Sequence, residues 1–255
     1  MFLNKLKRRG LANLSCDLPS AFVPFGAHKR GPNARIMRIS RLTRFTWLVA
    51  FWMIFCPVPS AQAEVEVEAP IIVALGDSLT AGYGLAPADG FVPQMQAALR
   101  AKGHQVELKN AGVSGDTSSG GLARLDWAVG PAAKGVILAL GANDMLRGIA
   151  PALTRQNLDT IITRLQARNI DIMLVGMLAA PNLGDEYARA FNSIYPQLAQ
   201  KYGLVFYPFF LEGVAAQRHL NLPDGIHPNR DGIAQIVARI SPQVERFIQP
   251  LKTKQ

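Results

Sequence analysis

The sequence has little cysteine. It contains two, Cys16 and Cys56, and both precede residue 64. We therefore expect the rest of the chain to contain no disulfide and no metal site built on thiolates. Two other candidate ligands, His104 and His219, do not show the spacing of a metal-binding pair, so we predict neither a metal nor a cofactor.

A hydrophobic run long enough to span a membrane is also missing. The apolar stretch Phe45–Cys56 has 12 residues, fewer than a typical transmembrane helix needs. Three arginines precede it and Ala61-Gln62-Ala63 follows it, as in a secretory signal peptide. We predict cleavage after Ala63 and a periplasmic or secreted protein without a stable membrane span; an uncleaved N-terminal anchor is the alternative. Because Met37 opens an ordinary signal peptide, we interpret residues 1–36 as the product of an upstream start codon.

Residues 64–255 lack an excess of either charge. Residues 1–63 hold ten of the 27 basic residues and one of the 18 acidic residues, which leaves 17 of each for the remainder. The formal net charge of +9 therefore belongs to the N-terminal segment. Since the remainder has no basic excess, we predict that nucleic acid is not a partner.

Short apolar segments alternate with helical patterns throughout residues 64–255, which we interpret as one domain. Runs of strand length lie at 71–75, 136–140, 172–176 and 204–207, with a weaker one at 105–109. Uniformly apolar runs of this length suit parallel strands that are buried on both faces. The alternation predicts a three-layer α/β fold with about five parallel strands and helices on both faces of the sheet. Pro196 and Pro242 each fall inside a helical pattern, where we expect an interruption.

The stretch "ALGDSLTAGYG" raises the first functional question, because Asp77 and Ser78 directly follow the first apolar run. In open sheets of this kind, ligands bind beyond the carboxyl ends of the strands. Ser78 is therefore a candidate nucleophile. The alternative is that Asp77 or Ser78 caps the next helix, a role that both residue types fill well.

Three further segments place polar residues in similar positions. The glycine-rich segment 110–125 follows the weak strand, Asn143 follows the strand at 136–140, and Asp224 precedes His227 by three positions. A carboxylate at that spacing can orient an imidazole, which can then accept a proton from a serine. Each segment also has a simpler explanation, namely a flexible loop, a turn residue and a surface or capping histidine, respectively.

Together, these segments resemble the four sequence blocks of the SGNH (GDSL) hydrolases. The matching residues are "GDSL" at 76–79, Gly112 in "NAGVSGDT", Asn143 in "GAND" and "DGIHP" at 224–228. The resemblance covers nearly all of residues 70–250. It looks closest to the bacterial periplasmic group of acyl-CoA thioesterases, lysophospholipases and arylesterases, because "SGDTSSGGLARL" and "DGIHPNRDG" are similar to sequences of that group.

The resemblance implies a serine esterase with Ser78 as the nucleophile, His227 as the general base and Asp224 as the acid that orients the base. It also implies an oxyanion hole formed by the backbone N–H of Ser78, the backbone N–H of Gly112 and the side-chain amide of Asn143. Such an enzyme hydrolyses its substrate through an acyl-serine intermediate and needs no cofactor.

The substrates that the resemblance implies are small acyl esters and thioesters. Apolar residues in loops beside the predicted site are candidates for an acyl-binding groove, although ordinary packing would also explain them: Leu85, Met145, Leu146, Leu178 and Pro181. Two other functions stay open. One is a carbohydrate O-acetylesterase, an activity of other SGNH enzymes, and the other is a non-catalytic exported lipid-binding module.

Overall fold

The computed structural model describes residues 69–252. The predicted signal segment, the interpreted start at Met37 and the cleavage point after Ala63 lie outside this range. Within it, no helix is both long enough and apolar enough to cross a membrane.

A single sheet of five parallel strands forms the centre of the fold. The strand order is β2-β1-β3-β4-β5, with every neighbouring pair parallel. The strands are β1 (Ile71–Gly76), β2 (Glu107–Gly112), β3 (Ala133–Ala139), β4 (Asp171–Val175) and β5 (Val205–Tyr207). All except β2 overlap closely with the predicted apolar runs, and the predicted fold class is confirmed.

Strand β2 lies at residues 107–112 instead of 105–109, and its position explains its weak sequence signal. It is an edge strand that pairs only with β1, and of its six residues only Leu108 is buried. An edge strand borders solvent, so it does not show the uniform apolar pattern of a central parallel strand. The shift brings Gly112 into register with Gly76 of β1.

Helices cover both faces of the sheet. They are α1 (Ser78–Ala81), α2 (Phe91–Ala101), α3 (Ser118–Ala123), α4 (Leu125–Ala128), α5 (Ala142–Leu146), α6 (Pro151–Ala167), α7 (Asp185–Asn192), α8 (Ile194–Tyr202) and α9 (Arg230–Ile248). Helices α2 and α9 pack against each other, whereas α6 packs against α3, α7 and α8. The sheet between these two groups contributes the centre of the core, where Ile72, Leu75 and Leu174 are completely buried.

The two prolines have different effects on their helices. Helix α7 ends at Asn192 and α8 begins at Ile194, so the expected interruption is present but precedes Pro196. Pro196 is the third residue of α8, where a backbone N–H has no partner within the helix. The interruption expected at Pro242 is wrong: α9 continues through it to Ile248, stabilised by the packing of its buried apolar residues.

Candidate active site

Ser78 begins helix α1 directly beyond the carboxyl end of β1. The turn is tight, because a Cβ at Gly76 would lie 2.0 Å from Thr80 Oγ1. Asp77 caps the helix by accepting the backbone N–H of Leu79 at 3.0 Å. Since Asp77 takes the capping role, the hydroxyl of Ser78 is available for another partner.

The partner of the Ser78 hydroxyl is His227. Nε2 of His227 lies 2.9 Å from Ser78 Oγ, and Nδ1 lies 2.7 Å from Asp224 Oδ2. The three side chains thus form a continuous chain of hydrogen bonds from a hydroxyl through an imidazole to a carboxylate. In this arrangement the imidazole can accept the serine proton while the carboxylate orients the ring.

A closed loop holds Asp224 and His227. The backbone N–H of Leu222 donates to the carbonyl of His227 at 2.7 Å, which joins the two ends of the loop. Inside it, Asp224 Oδ1 accepts the backbone N–H groups of Ile226 at 2.9 Å and of His227 at 3.0 Å. These contacts orient both side chains within the loop.

Two carboxylates near the site have displaced pKa values. Hydrogen bonds from the backbone N–H groups of His227 and Ile226, together with the one from the His227 ring, lower the pKa of Asp224 to about 2. Burial raises the pKa of Asp77 to about 6, although the hydrogen bond from Leu79 opposes this shift. Asp224 is therefore an anion at neutral pH, whereas Asp77 titrates close to neutrality.

An aromatic ring packs against the imidazole. The centroids of the Tyr83 and His227 rings lie 4.5 Å apart with an interplanar angle of 38°. The backbone N–H of Tyr83 donates to the carbonyl of Ser78 at 3.1 Å, so helix α1 determines where the ring lies. The sequence analysis missed Tyr83, and the only signal for it was its place in "GDSLTAGYG".

The backbone N–H of Gly112, a predicted oxyanion donor, has an acceptor within the protein. Its N–H donates to Asn110 Oδ1 at 2.9 Å. A Cβ at this position would lie 2.3 Å from the backbone nitrogen of Ala81 in α1. A glycine is therefore required here because α1 packs directly against the end of β2.

A second glycine in the same loop, Gly115, has a backbone N–H that is free to donate. Gly115 has a φ of +85°, and its carbonyl accepts Arg147 Nη2 at 2.7 Å. Its N–H has no acceptor among residues 69–252. The sequence analysis assigned the oxyanion role to Gly112 and not to this residue, although Ser114-Gly115-Asp116 is typical of a turn in which only glycine adopts a positive φ readily.

Asn143 lies in helix α5, which begins beyond β3, and its side-chain amide has no protein partner in the described part of the chain. The neighbouring Asp144 is fully buried and anchors the helix. Its carboxylate accepts the backbone N–H of Ser118 at 2.7 Å, the hydroxyl of Ser118 at 2.5 Å and the hydroxyl of Thr154 at 3.1 Å. Asn143 therefore keeps a free amide on a helix that is firmly attached to α3 and α6.

Three neighbouring strand ends bring these groups to one edge of the sheet. Gly76 pairs with Gly112 on one side and with Ala139 on the other. Ser78, Gly115 and Asn143 follow the ends of β1, β2 and β3 within four residues. Within residues 69–252, no group of three or more His, Cys, Asp or Glu side chains could hold a metal ion. The chemistry available at this edge is that of a base-activated hydroxyl beside free N–H donors.

The residues predicted to line an acyl groove are of two kinds. Met145 belongs to the hydrophobic core at 8% exposure, and Leu85 is partly buried against the core. Leu146 and Leu178 are 51% and 42% exposed, and Pro181 is exposed at the start of a short 3-10 turn. Leu146, Leu178 and Pro181 therefore present the most apolar surface to solvent within this set.

Known proteins resemble this chain over the region that carries the site. Residues 74–234 match the family described as "GDSL-like Lipase/Acylhydrolase family". That range includes Ser78, Asn143, Asp224 and His227.

Two curated proteins and one solved structure illustrate the similarity. The chain is 35% identical over 186 residues to Esterase TesA of Pseudomonas aeruginosa, in a match that covers 72% of this chain and 92% of that protein. It is 35% identical over 206 residues to Thioesterase 1/protease 1/lysophospholipase L1 of Escherichia coli, covering 80% and 95% of the two proteins. The structure of AlinE4, an SGNH-hydrolase family esterase, is 44% identical with a TM-score of 0.60, over 70% of this chain and 96% of that chain.

Proposed function

This chain belongs to the GDSL-like lipase/acylhydrolase family, and we propose that Ser78, His227 and Asp224 are its catalytic residues. It is a serine hydrolase that acts on carboxylic esters, as its similarity to proteins named esterases indicates. The observation that carries the assignment is the 2.9 Å contact between Ser78 Oγ and His227 Nε2. A serine hydroxyl is a weak nucleophile, and a base at this distance is what activates it.

In the first step, Ser78 Oγ attacks the carbonyl carbon of the ester and its proton passes to His227 Nε2. Asp224 holds the Nδ1–H of the ring and stabilises the imidazolium that forms. When the tetrahedral intermediate collapses, the imidazolium gives its proton to the leaving alcohol or thiol, and the acyl group stays on Ser78. Water then attacks the acyl-serine with the same assistance from His227, which releases the acid and restores the hydroxyl.

We assign the oxyanion hole to the backbone N–H groups of Ser78 and Gly115 and the side-chain amide of Asn143. Each follows the end of one of three adjacent strands, and none has an acceptor among the residues that the structure describes. Preorganised donors stabilise the charge that develops on the carbonyl oxygen without first breaking other hydrogen bonds. Gly112 is the poorer candidate because its N–H is already bound to Asn110.

We propose acyl esters and thioesters with an apolar acyl chain as the substrates. Relatives carry the words esterase, thioesterase and lysophospholipase in their names. Leu146 and Leu178 expose apolar side chains in the segments that follow β3 and β4. Burial of each acyl methylene contributes about 0.8 kcal/mol, so kcat/KM should rise with chain length. A carbohydrate O-acetylesterase would show no such rise and would prefer acetylated sugars.

We also propose that the domain acts outside the cytoplasm after removal of residues 1–63. The support is the signal-peptide pattern that ends at Ala63. N-terminal sequencing of the exported protein tests this point, with Glu64 as the expected first residue. An exported protein that still begins upstream of Glu64 would contradict the proposed cleavage.

Covalent labelling tests the catalytic assignment. A p-nitrophenyl phosphonate should modify the folded protein at Ser78 and abolish ester hydrolysis. Ser78→Ala should neither react nor hydrolyse esters while it keeps its circular dichroism spectrum. Ser193→Ala is a matched control. Ser193 lies between α7 and α8, and its hydroxyl donates to the carbonyl of Ala190 in α7. This variant should react like the wild type.

Two outcomes would overturn this assignment. Turnover in Ser78→Ala at the wild-type rate, or modification of a different residue, would refute the role of Ser78. A folded wild-type protein that resists the phosphonate and hydrolyses no ester would favour the non-catalytic lipid-binding module.

A further inference from the structure

We propose that Arg124 is a positioning residue that fixes the nucleophile turn and the oxyanion loop relative to each other. The inference rests on the proposed roles of Ser78 and Gly115. Arg124 lies between α3 and α4, and its side chain is only 7% exposed. Burial of a guanidinium costs free energy unless its charge and its N–H groups find partners. The identity of those partners therefore indicates what the buried charge does.

The two hydrogen-bond partners of Arg124 lie on the two segments that form the site. Nη2 donates to the carbonyl of Gly76 at 2.8 Å, two residues before Ser78. Nε donates to Asp116 Oδ2 at 2.5 Å, one residue after Gly115. One planar and rigid group thus connects the segment that carries the nucleophile with the segment that carries an oxyanion donor.

Both partners are closely packed, so a displaced guanidinium would displace them as well. The carbonyl of Gly76 also accepts the backbone N–H of Val113 at 3.1 Å. On the other side, a Cβ at Gly120 would lie 2.6 Å from Asp116 Oδ1, so the carboxylate fills the space beside α3. Misplacement of a catalytic group by about 1 Å can lower the rate roughly 100-fold.

Replacement of Arg124 by lysine distinguishes the effect of the positive charge from the effect of the guanidinium geometry. An ammonium keeps the positive charge beside Asp116, but it is a point donor on a flexible chain and lacks the fork of a guanidinium. If the role of Arg124 were only to neutralise a carboxylate, lysine would replace it in the folded protein. If Arg124 positions the two segments, Arg124→Lys lowers kcat while the substrate still binds.

Steady-state kinetics of Arg124→Lys test the proposal, with kcat expressed per site that the phosphonate titrates. We expect kcat to fall roughly 10–100-fold while KM stays within about threefold of the wild type. Arg168→Lys is the matched control, since Arg168 Nη2 also donates to backbone carbonyls, those of Val129 and Gly130, which precede β3. It should lower the melting temperature and leave kcat per titrated site unchanged.

Asp116→Asn supplies the second variant, because it keeps the size of the side chain and removes the charge that Nε contacts. It should lower kcat, as Arg124→Lys does. If Arg124→Lys does not fold, Asp116→Asn alone tests whether Arg124 positions the two segments. The proposal is overturned if the folded variants keep kcat within about twofold of wild type, or if Arg168→Lys loses as much kcat. Ser78→Ala distinguishes failure of this proposal from failure of the proposed function, because activity retained in that variant would refute the proposed function itself.

Discussion

Ser78 Oγ and His227 Nε2 lie 2.9 Å apart, although 149 positions separate the two residues in the chain. The contact joins the end of β1 to the loop that precedes α9, so only the complete fold creates it. The other nitrogen of the same ring contacts Asp224 at 2.7 Å. A change at Asp224 therefore alters the orientation and the tautomer of the ring without removing the nucleophile or the base.

Asp224→Asn should lower kcat by about 10³–10⁴ with a small change in KM, because an amide favours the wrong imidazole tautomer. Initial rates on a p-nitrophenyl ester at neutral pH measure the effect. Asp231→Asn is the control, since Asp231 is an exposed carboxylate in the first turn of α9. A loss below about tenfold would remove Asp224 from the proposed triad.

Asp77→Asn should change how stability depends on pH. Burial raises the pKa of Asp77 from 3.8 to about 6, so in this window the native state holds a proton that the unfolded chain releases. The free energy of unfolding of the wild type should therefore fall as pH rises from about 4 to 6, by about 3 kcal/mol relative to Asp77→Asn.

Urea unfolding of both proteins at pH 4 and pH 7 measures this difference. Asparagine can still cap α1, so the comparison isolates the charge. An equal difference in stability at both pH values would show that Asp77 ionises as freely in the native state as in the unfolded chain.

Gly112→Ala should destabilise the protein by about 1–3 kcal/mol and lower kcat. The new methyl group would meet backbone atoms of Ala81 and Thr80, which cannot move without displacing the helix that begins at Ser78. Thermal unfolding and ester hydrolysis measure the two effects. Gly130→Ala is the control, because nothing lies within 4 Å of the added Cβ. Wild-type stability in Gly112→Ala would contradict the close approach of α1 to β2.

Asn143→Ala should lower kcat by about 10²–10³ if its amide is an oxyanion donor. The kcat of Asn143→Asp should fall at least as far, because aspartate keeps the shape of the side chain and replaces the donor with a negatively charged acceptor. Substrate affinity should change less than kcat in both variants. An unchanged kcat in Asn143→Ala would exclude Asn143 from the site.

Replacement of Leu146 or Leu178 by serine should selectively impair long-chain substrates. We expect kcat/KM to fall roughly tenfold for a long-chain p-nitrophenyl ester and to stay unchanged for the acetate, because the lost contacts involve acyl methylenes. The acetate ester is the internal control, because a general loss of folded or active protein would lower both rates. Equal losses on both esters would contradict an acyl-binding role.

The sequence was sufficient to predict strands and candidate site residues wherever the chemical type of a residue agreed with its place in or beside a strand or loop of the fold. The central strands, Ser78 and the spacing of Asp224 and His227 were of this kind. It was insufficient where the answer depended on packing between distant segments. Gly112 and Gly115 occur in one loop, and only the approach of Ala81 and the side chain of Asn110 distinguish them. Met145 and Leu146 are adjacent apolar residues, and the orientation of α5 decides which of them is buried.

The closed loop from Leu222 to His227 means that the acid and the base form a preassembled pair. Its internal hydrogen bonds do not involve Ser78. Separation of Ser78 from this pair would break the contact of Ser78 with His227 and the packing of Tyr83 on the His227 ring, and it would leave the hydrogen bonds inside the loop intact.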